Sequence, residues 1–113
     1  TDVTGFGLLG HLHELCSASG CAAQLDAAAV PAIEGALELA GDEGCHAGGS
    51  RRNADHAEGF TTWAESVPVE RRFLLADAMT SGGLLVASKP GTDGPGTPVG
   101  RLLEGEAGEI SVV

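Results

Sequence analysis

Apolar positions recur with a helical period at the head of the chain. Leu8, Leu12 and Leu15 fall at i, i+4 and i+7, with Leu9 and Cys16 beside them, which predicts an amphipathic helix over 4–19. Thr4 is its expected N-cap, because a threonine oxygen can accept an early backbone N–H. Gly20 stands where a C-cap glycine belongs. "CAAQLD" (21–26) then reads as a short strand. A second stripe, Val30, Ile33, Leu37 and Ala40, predicts a helix over 28–41, with Pro31 in its first turn and Gly41 at its end.

The period lapses over 42–59. That stretch contains "GCHAGGSRRN" and predicts a long loop, of a kind that is usually functional inside a compact domain. "FTTWAESV" (60–67) suits a strand or a loop. "VPVERRFLLAD" (67–77) predicts a short helix opened by Pro68, with Phe73, Leu74 and Leu75 turned inward. Gly82-Gly83 marks a turn or bulge, and Leu84 to Ala87 a buried strand. "KPGTDGPGTP" (89–98) is a loop by composition. "VGRLLEG" and "EISVV" predict two last strands joined by a turn over 105–108. No internal repeat is visible. The order predicts an α+β domain spanning 1–113, a mixed sheet with helices packed on it.

Composition narrows the picture. A chain of 113 residues supports one modest core. Aromatics are only 4%, so that core must be aliphatic. Sixteen acidic residues against six basic ones give a net charge of -10, which argues against nucleic acid as a partner, since that needs cations to replace phosphate counterions. No apolar run approaches membrane-spanning length and no signal peptide is visible, so no membrane is expected. An odd cysteine count (Cys16, Cys21, Cys45) without such a signal favours a reducing, cytoplasmic setting.

The candidate chemistry begins with "TDVTGFGLLGHLHEL". Gly5, Gly7 and Gly10 show the G-x-G-x-x-G spacing, and Asp26 lies about twenty residues on, as in a dinucleotide site. That reading requires a strand before Gly5, where only "TDVT" stands. Glycines this early in a helix disfavour it by about 1 kcal/mol each relative to alanine, so either something approaches that backbone closely or the glycines adopt angles that other residues avoid. Asp2, just ahead of them, suits a hard divalent cation such as Mg2+, with phosphate oxygens at the helix N-terminus; it also suits a capping or surface carboxylate. His11 and Glu14 share a helix face, whereas His13 diverges, so a metal site and a solvated face both fit. The cysteines with His46 give no zinc spacing. "GGSRRN" joins flexible backbone to two guanidiniums and an amide, chemistry suited to phosphate or carboxylate oxygens, or an exposed loop. "TSGG" (80–83) offers hydroxyls beside open backbone. No P-loop occurs, and Lys89 is the only lysine.

Three stretches in order, "TDVTGFGLLGHL", "GGSRRN" and "DAMTSGGLLVA", resemble the C-terminal half of the selenophosphate synthetase (selenide, water dikinase) family. That family falls among the aminoimidazole ribonucleotide synthetase-like enzymes. "VPAIEGALELA" resembles the segment between the first two motifs, and the likeness runs to about Ala87, more loosely over the last fifteen or so residues.

The resemblance implies an enzyme that makes selenophosphate, AMP and phosphate from ATP, selenide and water. It implies an N-terminal ATP-binding domain, a C-terminal α/β domain and a homodimer formed mainly by N-terminal domains, with nucleotide and Mg2+ in a cleft between the halves. Asp2 inherits the role of a Mg2+ ligand. Thr4, Gly5 and Gly7 would lie beside the phosphates, and Arg51, Asn53, Thr80, Ser81, Gly82 and Gly83 on the cleft side. The family's N-terminal half, with its glycine-rich loop, its Cys or selenocysteine nucleophile and its Lys, has no counterpart here. Cys16, Cys21 and Cys45 do not match that nucleophile's context. A family helix after the "TSGGLLVA" strand is replaced by "SKPGTDGPGTP", which implies a less covered sheet face. "DAMTSGG" stands where the family tends to have "DPQTSGG". A domain inactive by itself, or a noncatalytic assembly module, is therefore expected of the isolated chain.

Overall fold

The computed structural model describes residues 1–92 and 94–113; Asp93, inside the predicted loop 89–98, lies outside the described residues. The elements are α1 (Gly7–Ser19), β1 (Ala22–Leu25), α2 (Ala36–Ala40), a 3-10 turn at Glu43–Cys45, α3 (Gly48–Ala57), β2 (Thr61–Trp63), α4 (Val69–Ala76), β3 (Gly100–Leu103) and β4 (Ile110–Val112). The strands form one mixed sheet in the order β2-β4-β1-β3. β1 runs antiparallel to β3 and parallel to β4, and β4 runs parallel to β2. The fold is the α+β arrangement that the sequence predicts.

Register decides which face is covered. Ala23 pairs with Ile110 and Leu25 with Val112, so these four side chains share one face. All four are buried, together with Leu9, Leu12 and Cys16 of α1 and Leu75 of α4. Among the described residues, the helices therefore lie on that side. The opposite face presents Gln24, Ser111 and Thr62, with Arg101 donating to Gln24 Oε1 at 2.7 and 3.1 Å. It is a solvated face of a sheet packed on one side. No helix or strand occurs between Leu84 and Gly100 among the described residues.

Several expectations are corrected. α1 begins at Gly7, with Phe6 rather than Thr4 as N-cap and no side-chain cap. Thr4 instead closes the preceding turn, accepting the Gly7 N–H through its carbonyl. The helix expected over 28–41 is reduced to α2, because Gly35 at φ 82° is left-handed and starts the helix anew. Ile33 consequently stands outside it, 84% exposed. The loop expected over 42–59 contains α3. This helix has an uncapped Gly-Gly start and few apolar residues, and tertiary contacts of Ser50, Asn53 and Ala57 hold it. The buried strand expected over 84–87 is absent from the sheet: Leu84 makes one bridge, to Asp2, and is 74% exposed. Gly20 caps α1 at φ 66° and Pro68 stands at the N-cap of α4, as expected in outline.

Candidate functional site

The three motifs converge on the C-terminal end of α4. Residues 1–3 and 83–85 form a short antiparallel ribbon outside the main sheet. Val3 N–H donates to Gly83 O and Leu85 N–H to Thr1 O, each at 2.9 Å. Gly82 packs so closely on the Val3 backbone that a β-carbon there would collide with it. One residue further along, Met79 N–H donates to Thr4 O at 3.1 Å. Asn53 of α3 donates its side-chain amide to Gly5 O (2.8 Å) and Ala76 O (3.1 Å), joining the glycine loop to the end of α4.

This arrangement separates the glycines. Gly7 has φ 70°, and a β-carbon would sit 2.6 Å from Ala76 O and 2.8 Å from Asp77 O. The end of α4 therefore requires glycine there. Gly5 is exposed, and nothing lies within 4 Å of where its β-carbon would be. Nothing among the described residues demands its lack of a side chain. Among the described residues, 1–3 pair with 83–85 outside the sheet and no strand of the sheet leads into Gly5, which counts against the dinucleotide reading.

Asp2, Thr4, Thr80, Ser81, Gly82 and Gly83 are all exposed. The Asp2 carboxylate has no hydrogen-bond partner among the described residues, while Thr4 Oγ1 and His11 Nε2 lie 3.1 Å apart. The two arginines diverge. Arg51 donates to Glu43 O (2.6 Å) and His46 O (3.3 Å) and so holds the 3-10 turn against α3. Arg52 makes no side-chain hydrogen bond among the described residues. Its guanidinium folds back to 3.5 and 4.0 Å from the β-carbon positions of Gly48 and Gly49. Those glycines open a helix with no side-chain cap and no acid in its first turn, so their N–H groups add to a positive end. Ala78 abuts Gly49, which brings that end beside the 77–83 turn. The resemblance implies Arg51, but the Glu43 and His46 carbonyls occupy it and leave Arg52 as the uncommitted guanidinium of the pair.

The remaining candidates are otherwise engaged. His13 donates from Nδ1 to Gly108 O at 2.8 Å and stacks on Phe60 at 3.9 Å. Cys16 is wholly buried; burial first, and Cys21 next, push its thiol up to about 11, which makes it a poor nucleophile. No cluster of three or more metal-ligating side chains occurs among the described residues. A cavity of about 420 Å3 between 28–38 and Arg71 contains none of the site residues.

Residues 1–94 match the model of the family described as AIR synthase related protein, C-terminal domain. The chain is 47% identical over 93 residues to the selenide, water dikinase of Colwellia psychrerythraea, covering 80% of this chain and 25% of that protein. It is 48% identical over 90 residues to the one from Bordetella bronchiseptica, again covering 80% and 25%. The Pseudomonas putida selenide, water dikinase aligns with the whole chain at 38% identity, over 35% of its own length. The chain thus spans 25–35% of these relatives. With its mixed sheet, its one helical layer and this match over most of its length, the chain belongs to the family of AIR synthase related proteins, as a C-terminal domain.

Proposed function

We propose that this chain acts within a selenide, water dikinase, where it positions the phosphates of Mg-ATP during synthesis of selenophosphate, AMP and phosphate from ATP, selenide and water. The observation that carries the reading is the convergence of Asp2–Gly5, Thr80–Gly83 and the positive end of α3 on one exposed edge. Anionic oxygens suit that edge: open backbone at Gly5, hydroxyls at Thr4, Thr80 and Ser81, and the Arg52 guanidinium. Phosphoryl transfer depends chiefly on such placement of charge.

Mg2+ fits this edge through one carboxylate. It commonly keeps several waters and binds through one or two carboxylates together with substrate phosphates, and Asp2 offers a carboxylate without a protein partner. Bound there, Mg2+ would neutralise phosphate charge. The nucleophile and further metal ligands belong to a separate ATP-binding half, and the whole enzyme would be a homodimer. In the enzyme that contains this chain, Asp2→Asn should sharply lower Mg2+-dependent ATP turnover; unchanged turnover refutes the role of Asp2. The lack of a metal-ligand cluster of three among the described residues favours a second reading for the isolated chain, an assembly module without activity. Selenide-dependent AMP formation by the 113 residues alone would rule that out.

A further inference from the structure

α3 touches the phosphate-facing edge from behind. Its inward face carries Ser50, Asn53 and Ala57, at helical spacing. Ser50 is 1% exposed, the one buried polar side chain in a core otherwise apolar among the described residues. A buried hydroxyl is unfavourable unless it is hydrogen-bonded. Here both of its functions are used: Oγ donates to Asp77 Oδ1 at 2.5 Å and accepts the Ala78 N–H at 3.1 Å.

Those two partners sit where α4 gives way to the 77–83 turn. Asp77 is the C-cap of α4 and already extended, at φ -62° and ψ 132°. The chain leaves the helix there with its last carbonyls lacking intrahelical donors. Asn53 satisfies Ala76 O, and Ser50 grips the Asp77 carboxylate and the Ala78 N–H. Three successive residues are thus fixed by two side chains one helical turn apart. Met79, next in line, bonds Thr4 O. The direction in which Thr80–Gly83 leaves α4, and its offset from Thr4–Gly5, therefore follow from Ser50.

We infer that Ser50 is a positioning residue: its hydroxyl sets the 77–83 turn so that Thr80–Gly83 faces the same phosphates as Thr4 and Gly5. This rests on the Mg-ATP reading above. The "GGSRRN" stretch then serves two purposes. Gly48, Gly49 and Arg52 form the positive end, while Ser50 and Asn53 hold the loops in register.

The test compares the full chain with Ser50→Ala and Ser50→Thr by amide hydrogen exchange and by amide NMR shifts on adding Mg-ATP. Ser50→Ala should leave the amides of β1 and β4 in place and speed exchange at Ala78 by about tenfold or more. It should also weaken the Mg-ATP response of Thr80–Gly83, and Ser50→Thr, which keeps the hydroxyl, should restore both. Ala78 exchange unchanged in Ser50→Ala overturns the inference. So does loss of the whole fold in Ser50→Ala, which would make Ser50 a general core residue. A wild-type chain with protected Ala78 and no response to Mg-ATP at any residue refutes the nucleotide reading instead, and leaves the hold on the turn standing.

Discussion

Gly5 and Gly7 stand two residues apart in one motif, and the fold assigns them opposite sensitivities. At Gly7, alanine must adopt φ 70°, a left-handed conformation that disfavours an L-residue by about 1–2 kcal/mol. Its β-carbon would also lie 2.6 Å from Ala76 O, 2.7 Å from Ala76 C and 2.8 Å from Asp77 O. These are backbone atoms held by Asn53 and Ser50, so they yield poorly, and overpacking of this kind adds about 1–3 kcal/mol. Gly7→Ala should therefore destabilise the chain by about 3 kcal/mol, a fall in Tm of roughly 10–15 °C for a domain of this size. Gly5 has no positive φ and an open β-carbon position. Gly5→Ala should stay within about 0.5 kcal/mol of the parent, or stabilise it slightly through the unfolded state. Its effect should appear in Mg-ATP binding, where a methyl group meets the approaching phosphate. Urea unfolding of both variants, followed by Mg-ATP titration of Gly5→Ala, decides the matter. A Gly7→Ala chain as stable as the parent refutes the packing argument. A Gly5→Ala chain that binds Mg-ATP unchanged removes the case for bare backbone at Gly5.

Further outcomes follow from the same contacts. Asn53→Asp keeps the shape but loses both donated bonds and turns a carboxylate on two carbonyls; chemical unfolding should show a loss of about 2–4 kcal/mol. Arg52→Ala should leave Tm unchanged and weaken Mg-ATP binding, whereas Arg51→Ala should lower Tm with little direct effect on binding, as calorimetry and titration would show. Cys16 has its folded-state pKa raised from 9.0 to about 11, so its contribution to stability is complete below about 9 and is lost as pH rises towards about 11. Unfolding free energy measured across that window should fall with pH, and Cys16→Ala should remove the slope.

Legibility in the sequence tracked the source of each element's stability. α1, α4, β1, β3 and β4 carry their own apolar pattern, and their places were readable from it. α3 was not readable: glycines at its start and arginines within it give no stripe, and it is fixed by Ser50 and Asn53 bonding to residues more than twenty positions away. The stripe through Val30 and Ile33 predicts a longer α2 because it cannot reveal that Gly35 is left-handed. Leu84–Ala87 has the composition of a buried strand, yet among the described residues its one β-bridge is that of Leu84 to Asp2. The site divides similarly. The stretches that meet at the end of α4 stand out in the sequence as motifs, with Asp2 inside the first of them. The different tasks of Arg51 and Arg52, and of Gly5 and Gly7, depend on backbone carbonyls that no pattern displays.

The Asp2–Gly5 and Thr80–Gly83 edge is the proposed seat of the Mg-ATP phosphates. Amide NMR of the chain during titration with Mg-ATP tests it most directly. Mg2+-dependent shifts are expected at Asp2, Thr4 and Gly5, at Gly48 and Gly49, and at Thr80 to Gly83, with the Mg2+ dependence lost in Asp2→Asn while its fold persists. No shift at millimolar Mg-ATP, or shifts confined to the cavity between 28–38 and Arg71, would contradict it.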